Sequence, residues 1–207
     1  MSKERILHKV QDALKKNPIQ HESGSYRDII IPIEQERITE YIRAQRANKA
    51  EVIESEESQI LKVIEEILQK EKIESILVPT SLAYLELSVQ KINYDKSIEE
   101  MKDKLFNIDC SILQADFGVS NLGIVSVISS PTQARLLSLI TRCNIILLKK
   151  EKILGNMSEV LQTIKAQHPN ILPSNILFIA GPSRTADIEL QVVFGVHGPQ
   201  SVYIVLY

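Results

Sequence analysis

The chain has 207 residues with a formal net charge of −2, and 44% of them are hydrophobic. This length is sufficient to bury the core of one domain with a smaller attached segment. The near-zero net charge argues against a basic surface for nucleic acid or an anionic membrane, and the 5% aromatic content argues against a base-stacking platform.

Cys110 and Cys143 lie far apart in the sequence, and we expect buried free thiols in a reducing compartment. An iron–sulfur cluster usually takes about four thiolates, so none is expected on this chain. The histidines show no metal-ligand spacing, so no metal site is expected either. No apolar run approaches the ~20 residues of a membrane helix, and the charged start MSKERILHKV lacks a signal-peptide core. We therefore expect a cytoplasmic protein without membrane insertion.

Residues 1–74 are predicted to be a helical segment that packs on, or extends, a main domain at 75–207. Apolar residues at helical spacing predict helices at 2–16, 34–47 and 56–71. Residues 17–33 break this periodicity and carry a short strand candidate at 29–31. The charged helix faces are interpreted as solvated, and a partner-binding arm is the alternative.

From Ser75 onward, strand and helix patterns alternate. Strands are predicted at 75–79, 108–114, 123–129, 144–149 and 175–180, and helices at 81–90, 97–105, 132–141 and 157–167. Nearly continuous apolar runs, such as 145–148, are typical of strands that are buried on both faces. The pattern predicts a Rossmann-like three-layer α/β fold with a mostly parallel sheet. The last two strand patterns, 188–194 and 201–207, are predicted to pair as an antiparallel hairpin.

A compact polar cluster, GPSRTADIEL at 181–190 and GVHGP at 195–199, interrupts the apolar C-terminal region. It follows a predicted strand, and ligands bind at the carboxyl ends of strands in open α/β sheets. Hydroxyls and a planar guanidinium suit a small anion. The predicted ligand-binding residues of this cluster are Gly181, Ser183, Arg184, Thr185 and Gly198. An equally weighted alternative is that these side chains only stabilise the turn.

Three residues of the cluster are candidates for acid–base chemistry. Asp187 and Glu189 share one face of an extended strand, and two neighbouring carboxylates raise the pKa of at least one of them. His197 lies in a loop beside Gly198 and could carry a proton, although a structural hydrogen bond is the alternative. A serine-nucleophile triad through Ser183 is not expected, because no G-x-S-x-G motif surrounds it.

A second loop, GVSNLG at 118–123, joins two predicted strands. Its glycines lie five residues apart, which matches neither the dinucleotide-binding fingerprint nor the Walker A loop. Gly118, Asn121 and Gly123 complete the predicted ligand-binding set.

The paired motifs GPSRTADIEL and GVHGP closely resemble the C-terminal signature of the LUD-domain family, that of lactate utilization protein C. The resemblance extends from about residue 75 to the C-terminus. It implies a fold like that of the NagB/RpiA/CoA-transferase superfamily and a role in oxidising L-lactate to pyruvate beside iron–sulfur partner proteins. This chain would then be a non-iron–sulfur subunit with no cofactor of its own, while a homo-oligomer is left open.

The 118–124 loop departs from the resemblance. The family commonly has G-I-A-E-T-G-T there, whereas this chain has Asn121 where Glu is usual, and Leu122 and Ile124 in place of threonines. The departure motivates the alternative of a non-catalytic small-anion-binding, assembly or regulatory module on the same fold.

Overall fold

The structure is a computed structural model that describes residues 3–16, 31–95, 98–105, 107–185 and 192–207. Its strands are β1 Glu51–Glu54, β2 Ser75–Pro79, β3 Gln90–Tyr94, β4 Cys110–Gln114, β5 Phe117–Val119, β6 Ile124–Ile128, β7 Cys143–Leu148, β8 Ile153–Leu154, β9 Ile176–Ile179, β10 Arg184–Thr185, β11 Val193–Phe194 and β12 Ser201–Leu206. Its α-helices are α1 Lys3–Lys16, α2 Arg37–Ala47, α3 Ile60–Lys70, α4 Ile98–Leu105 and α5 Met157–Gln167.

The centre of the molecule is a six-stranded sheet in the order β1-β12-β7-β4-β2-β3. Every neighbouring pair in it runs parallel. Its four inner strands, β12, β7, β4 and β2, are mostly apolar and buried because both faces of the sheet are covered. On one face, Ile64 and Ile67 of α3 pack against residues such as Ile112 and Ile145. The mostly parallel α/β sheet expected from the sequence is confirmed.

The other face of the central sheet is covered by α2, α4 and a second sheet of order β8-β5-β6-β9. Tyr41 of α2 and Leu105 of α4 join Val125 of β6 in one buried cluster with Leu113 and Ile204 of the central strands. Helix α5 covers the second sheet, where Val160 and Ile164 pack against its strands. The result is a layered fold in which the two sheets share one core.

The N-terminal region contributes more than helices. Strand β1 pairs with β12 and forms one edge of the central sheet, whereas the sequence predicted no strand there. The expected apolar face of α1, which includes Ile6, Val10 and Leu14, stays about half exposed. The boundary between segments at residue 74 stays a prediction, and the strand candidate at 29–31 lies almost entirely outside the described residues.

Two predicted helices are wrong. Residues 81–90 form only a short 3-10 turn, Thr80–Leu82, before the chain extends into β3. There Lys91 Nζ donates to the carbonyls of Ala83 and Leu85, at 2.9 and 2.8 Å. Residues 132–141 contain only the 3-10 turn Arg135–Ser138. There Ser111 and Asn144 donate to the carbonyls of Leu137 and Ser138. In both segments side chains therefore occupy carbonyl groups that a continuous helix would use for its own hydrogen bonds.

The predicted pairing of 188–194 with 201–207 is also wrong. Strand β12 lies between β1 and β7, parallel to both. An antiparallel hairpin does exist, but it pairs β11 with β10. The reason is burial: residues 202–206 are buried, and the N–H and C=O groups of a buried strand must be paired along both of its edges, so β12 takes a neighbour on each side. Among the described helices, none has both the length and the apolar character to cross a membrane.

Candidate functional site

The predicted ligand-binding segment 181–185 lies at the amino ends of the central strands. Ser183 N donates to Pro199 O at 2.9 Å, and Gly195 N donates to Ser183 O at 3.0 Å. Next along the chain, Gln200 N donates to Arg142 O at 2.7 Å, immediately before β12 and β7 begin. Segments 181–185 and 195–200 therefore form one layer across the beginning of β7 and β12.

Gly181 and Arg184 both contact the end of α2. Gly181 has a φ of +76°, and a Cβ added to it would lie 2.1 Å from Asn48 O. Arg184 Nη2 donates to Asn48 O at 2.8 Å and to Ala180 O at 3.2 Å. This nitrogen is thus occupied by backbone carbonyls, which favours a turn-stabilising role for it, while the side chain as a whole stays exposed.

The loop at 118–123 packs against the same helix. A Cβ on Gly118 would lie 3.0 Å from the side chains of Tyr41, Leu148 and Ile153. Asn48 Nδ2 donates to the carbonyls of Leu122 and Gly123, each at 2.8 Å. Asn48 therefore ties both sequence motifs to α2, a role that the sequence did not reveal.

Asn121 and Gly123 have buried, close-packed surroundings. Asn121 is 6% exposed, and its N donates to Gly155 O at 3.2 Å. Gly123 lies against the backbone of α2. A ligand-binding role for this loop stays a prediction, as does one for Thr185, which is half-buried in β10.

His197 and Gly198 line a cavity of about 540 Å³ at the amino ends of the central strands. Most of its wall is apolar and includes Leu105, Leu136 and Leu139. Asp187 and Glu189 lie outside the described residues, so their convergence with His197 stays a prediction. Its wall also includes Arg142, but this guanidinium is paired with Glu71 and Asp109, at 3.7 and 3.4 Å, so binding a small anion beside the imidazole would compete with these ion pairs.

A more polar cleft lies at the opposite end of the central sheet. The chain leaves β2 toward β3 but leaves β4 toward β7, in opposite directions across the sheet. The carboxyl ends of two such strands form a topological switch point, where open α/β sheets bind ligands. A cavity of about 500 Å³ lies there, and we call it the carboxyl-end cleft. Its lining is Glu57, Ser81, Leu82, Tyr84, Gln114, Ala115, Asp116, Phe117, Lys149, Lys152, Gln167 and Tyr207.

Two lysines of this cleft lie over aromatic rings. Lys149 Nζ is 5.7 Å from the centre of the Tyr207 ring and 3.8 Å from Glu57 Oε1. Lys152 Nζ is 5.9 Å from the centre of the Phe117 ring. The Tyr207 hydroxyl donates to Gln114 Oε1 at 3.2 Å. The cleft thus combines cations, aromatic surface and amide groups.

Asp116 is a partly buried carboxyl group in the lining of the cleft. Ile128 N donates to its Oδ2 at 2.6 Å, which fixes the carboxyl group. Burial raises the pKa of Asp116, while the Ile128 N–H and the nearby Lys152 and His168 act in the opposite direction. A carboxyl group with a raised pKa in a cleft is typical of functional sites. Within the described ranges, no group of three or more His, Cys, Asp and Glu side chains is arranged to hold a metal ion.

The sequence carries a signal for this cleft outside its two glycine-containing motifs. Lys149 and Tyr207 each directly follow a buried central strand, and Asp116 comes two residues after another. Polar residues at the ends of parallel strands meet at one edge of the sheet.

A family model and similar proteins both identify the family to which this chain is related. A model of the LUD domain matches residues 38–207. The chain is 29% identical over 180 residues to the uncharacterized protein NMB1437 of Neisseria meningitidis, covering 83% of this chain and 77% of that protein. It is 37% identical over 111 residues to lactate utilization protein C of Halalkalibacterium halodurans, covering 52% of this chain and 48% of that protein. The match therefore spans about half the length of that relative.

A solved structure has the same fold. It is a DUF162 family protein from Deinococcus radiodurans, with a TM-score of 0.63 and 16% sequence identity, covering 82% of this chain and 94% of that chain.

Proposed function

The chain belongs to the LUD domain family, and we propose that it is the non-iron–sulfur subunit of a system that oxidises L-lactate to pyruvate. Support comes from the similarity to proteins named lactate utilization protein C, at 37% and 34% identity over 111 and 101 residues. In this proposal the iron–sulfur clusters are carried by partner proteins in the cytoplasm. The two cysteines of this chain are fully buried on neighbouring strands, which suits a subunit without a cluster.

The observation that carries the proposal is the pair of lysines in the carboxyl-end cleft. Lys152 can receive the carboxylate of lactate or pyruvate, and Lys149 lies on the same connection after β7. Asp116, which burial biases toward its protonated form, is positioned to exchange a hydrogen bond or a proton with the ligand.

Calorimetric titration of the purified chain with L-lactate and pyruvate tests the assignment. Lys152→Ala should weaken binding roughly 10- to 100-fold, since a hydrogen bond to a charged group contributes about 1.5–3 kcal/mol. Lys165→Ala is the matched control, because Lys165 is an exposed lysine on α5 that does not line the cleft. No saturable binding, or an equal loss in both variants, would contradict the proposal.

A second candidate is a non-catalytic anion-binding or assembly module. It is favoured by the 118–123 loop, whose glycines are packed against other elements and whose Asn121 lacks the carboxylate usual in the family. Lactate oxidation by the reconstituted complex separates the two candidates. A ligand-binding subunit should lose turnover in the Lys152→Ala variant while the complex stays intact, whereas an assembly module should keep turnover wherever the complex forms.

A further inference from the structure

The carboxyl-end cleft is larger than lactate requires. Its volume of about 500 Å³ lies within the ~300–1,000 Å³ of sites that enclose drug-sized ligands. Lactate has only three carbons and would leave most of this space to water. We propose that the cleft binds a phosphate ester that carries an aromatic ring and a sugar, as a nucleotide does. The inference rests on the proposed function, because it places the ligand in the same cleft.

Lys152 provides the phosphate end. It follows β7 on the short turn Lys150–Lys152. Among the described residues, no carboxylate oxygen lies within ion-pair distance of Lys152 Nζ, whereas Lys149 Nζ is 3.8 Å from Glu57 Oε1. An ammonium group that lines a cleft without a carboxylate partner can bind a phosphate without first breaking an ion pair.

Tyr84 and Tyr207 provide the ring end. Both line the cleft, where Tyr84 is 72% exposed and Tyr207 is half-buried. The two tyrosines are close enough for Tyr84 to contribute to the raised pKa of Tyr207, although burial is the main cause. A planar ring placed against Tyr84 would cover aromatic surface that water now contacts. Stacking of this kind accepts any base, because every base has a π-face.

The charges of the cleft favour a mixed ligand over a bare anion. Two lysines are balanced by Glu57 and Asp116, so the four side chains carry no net formal charge when both acids are ionised. A simple anion would gain from Lys152 and lose to the acids. A sugar that joins the ring to the phosphate offers hydroxyl donors, which carboxylates accept, as acidic residues do with ribose in dinucleotide sites.

Adenosine 5′-monophosphate, adenosine and inorganic phosphate are the probes that test this inference by calorimetry on the full chain. The nucleotide should bind at least about tenfold more tightly than either fragment. Tyr84→Ala should weaken nucleotide binding roughly 5- to 100-fold and leave phosphate binding unchanged. Tyr84→Phe should bind the nucleotide as the wild type does, because it keeps the aromatic ring. Lys152→Ala should weaken nucleotide and phosphate alike. Tyr84 is largely exposed, and equal melting temperatures will verify that its variants fold.

The outcomes separate this inference from the proposed function. In one outcome, lactate binding depends on Lys152, but the nucleotide binds no more tightly than phosphate, or its affinity is unchanged in Tyr84→Ala. This outcome overturns the inference and leaves the proposed function intact. Nucleotide binding that depends on both Tyr84 and Lys152, without lactate binding, supports the inference and overturns lactate as the ligand. Absence of binding by every probe overturns both.

Discussion

Substituting Gly123 by alanine tests whether the 118–123 loop serves packing or ligand binding. Gly123 has a φ of +58°, and the left-handed conformation costs an L-residue with a Cβ about 1–2 kcal/mol. The added Cβ would lie 2.3 Å from the carbonyl carbon of Ala44 and from Gln45 N. These are backbone atoms of α2 and cannot rotate away, so the helix or the loop must shift.

Overpacking of this kind costs a further ~1–3 kcal/mol. The sum is about 2–5 kcal/mol, a large part of the ~5–15 kcal/mol by which a domain is stable. At roughly 2–4 °C per kcal/mol for a chain of this size, the melting temperature should fall by about 4–20 °C.

Urea and thermal unfolding followed by circular dichroism measure the effect. The matched control is Gly155→Ala, whose Cβ would meet Glu159 Oε1 at 3.0 Å. That atom belongs to a side-chain carboxylate that accepts bonds from Gly155 N and Asn156 Nδ2, at 2.8 and 3.1 Å, so moving it costs at most about one hydrogen bond, ~0.5–1.5 kcal/mol. Anion affinity per folded molecule should be unchanged in both variants. A Gly123→Ala protein with the wild-type melting temperature but without anion binding would refute the packing explanation and support a ligand-binding loop.

Three other changes probe the cleft, the core and α2. Because a negative charge on Asp116 repels an anion, phosphate affinity should rise as pH falls through the raised pKa of Asp116. Calorimetry across pH should show a weaker dependence in Asp116→Asn, with the titration of phosphate and of Glu57 remaining. Asn144→Ala removes the buried donor to Ser138 O (2.9 Å), whereas Thr141 Oγ1 keeps its bond to Cys143 O (2.8 Å). The urea midpoint should report a loss of about 1–3 kcal/mol for the unpaired Ser138 carbonyl, with exposed Ser158→Ala unaffected. Hydrogen bonds from the Arg43 guanidinium lower the pKa of Glu40 from 4.5 to about 2. Glu40 therefore stabilises the fold above its unfolded pKa, and this contribution is lost as pH falls from 4.5 toward 2. Glu40→Gln should flatten the dependence of the unfolding free energy on pH in this range.

The sequence predicted elements whose burial follows a regular pattern, continuous in β2 and at helical spacing, through Val160 and Ile164, in α5. Strand β2 is buried at all five positions and was predicted with the observed bounds, as was α5. Strand β1 was not predicted because it is a short edge strand with glutamates at both ends, and only Val52 and Ile53 are half-buried. The pairing of β12 was mispredicted because a short connection favours a local hairpin, whereas its two buried faces required the sheet interior.

The position of a candidate site depends on the sheet to which a strand belongs. The cluster at 181–185 follows β9, and its position was inferred from the rule for parallel sheets. Strand β9 instead pairs antiparallel with β6 in the second sheet, so the rule does not apply to it. Asn48 was beyond the reach of sequence reasoning, because its partners lie 74, 75 and 136 positions away.

The signature segments and the carboxyl-end cleft are therefore suited to different contacts. At the amino ends, the signature segments are hydrogen-bonded to one another and to α2, and the cavity beside them is mainly apolar. At the carboxyl ends, Gln114, Lys149 and Tyr207 each follow or end a different buried strand, so their backbones are held by the sheet while their side chains meet in one cleft. A ligand gains most from polar groups that are already held in place, because less conformational entropy is lost on binding. Charged ligand chemistry is therefore expected in the carboxyl-end cleft rather than beside the segments that carry the family signature.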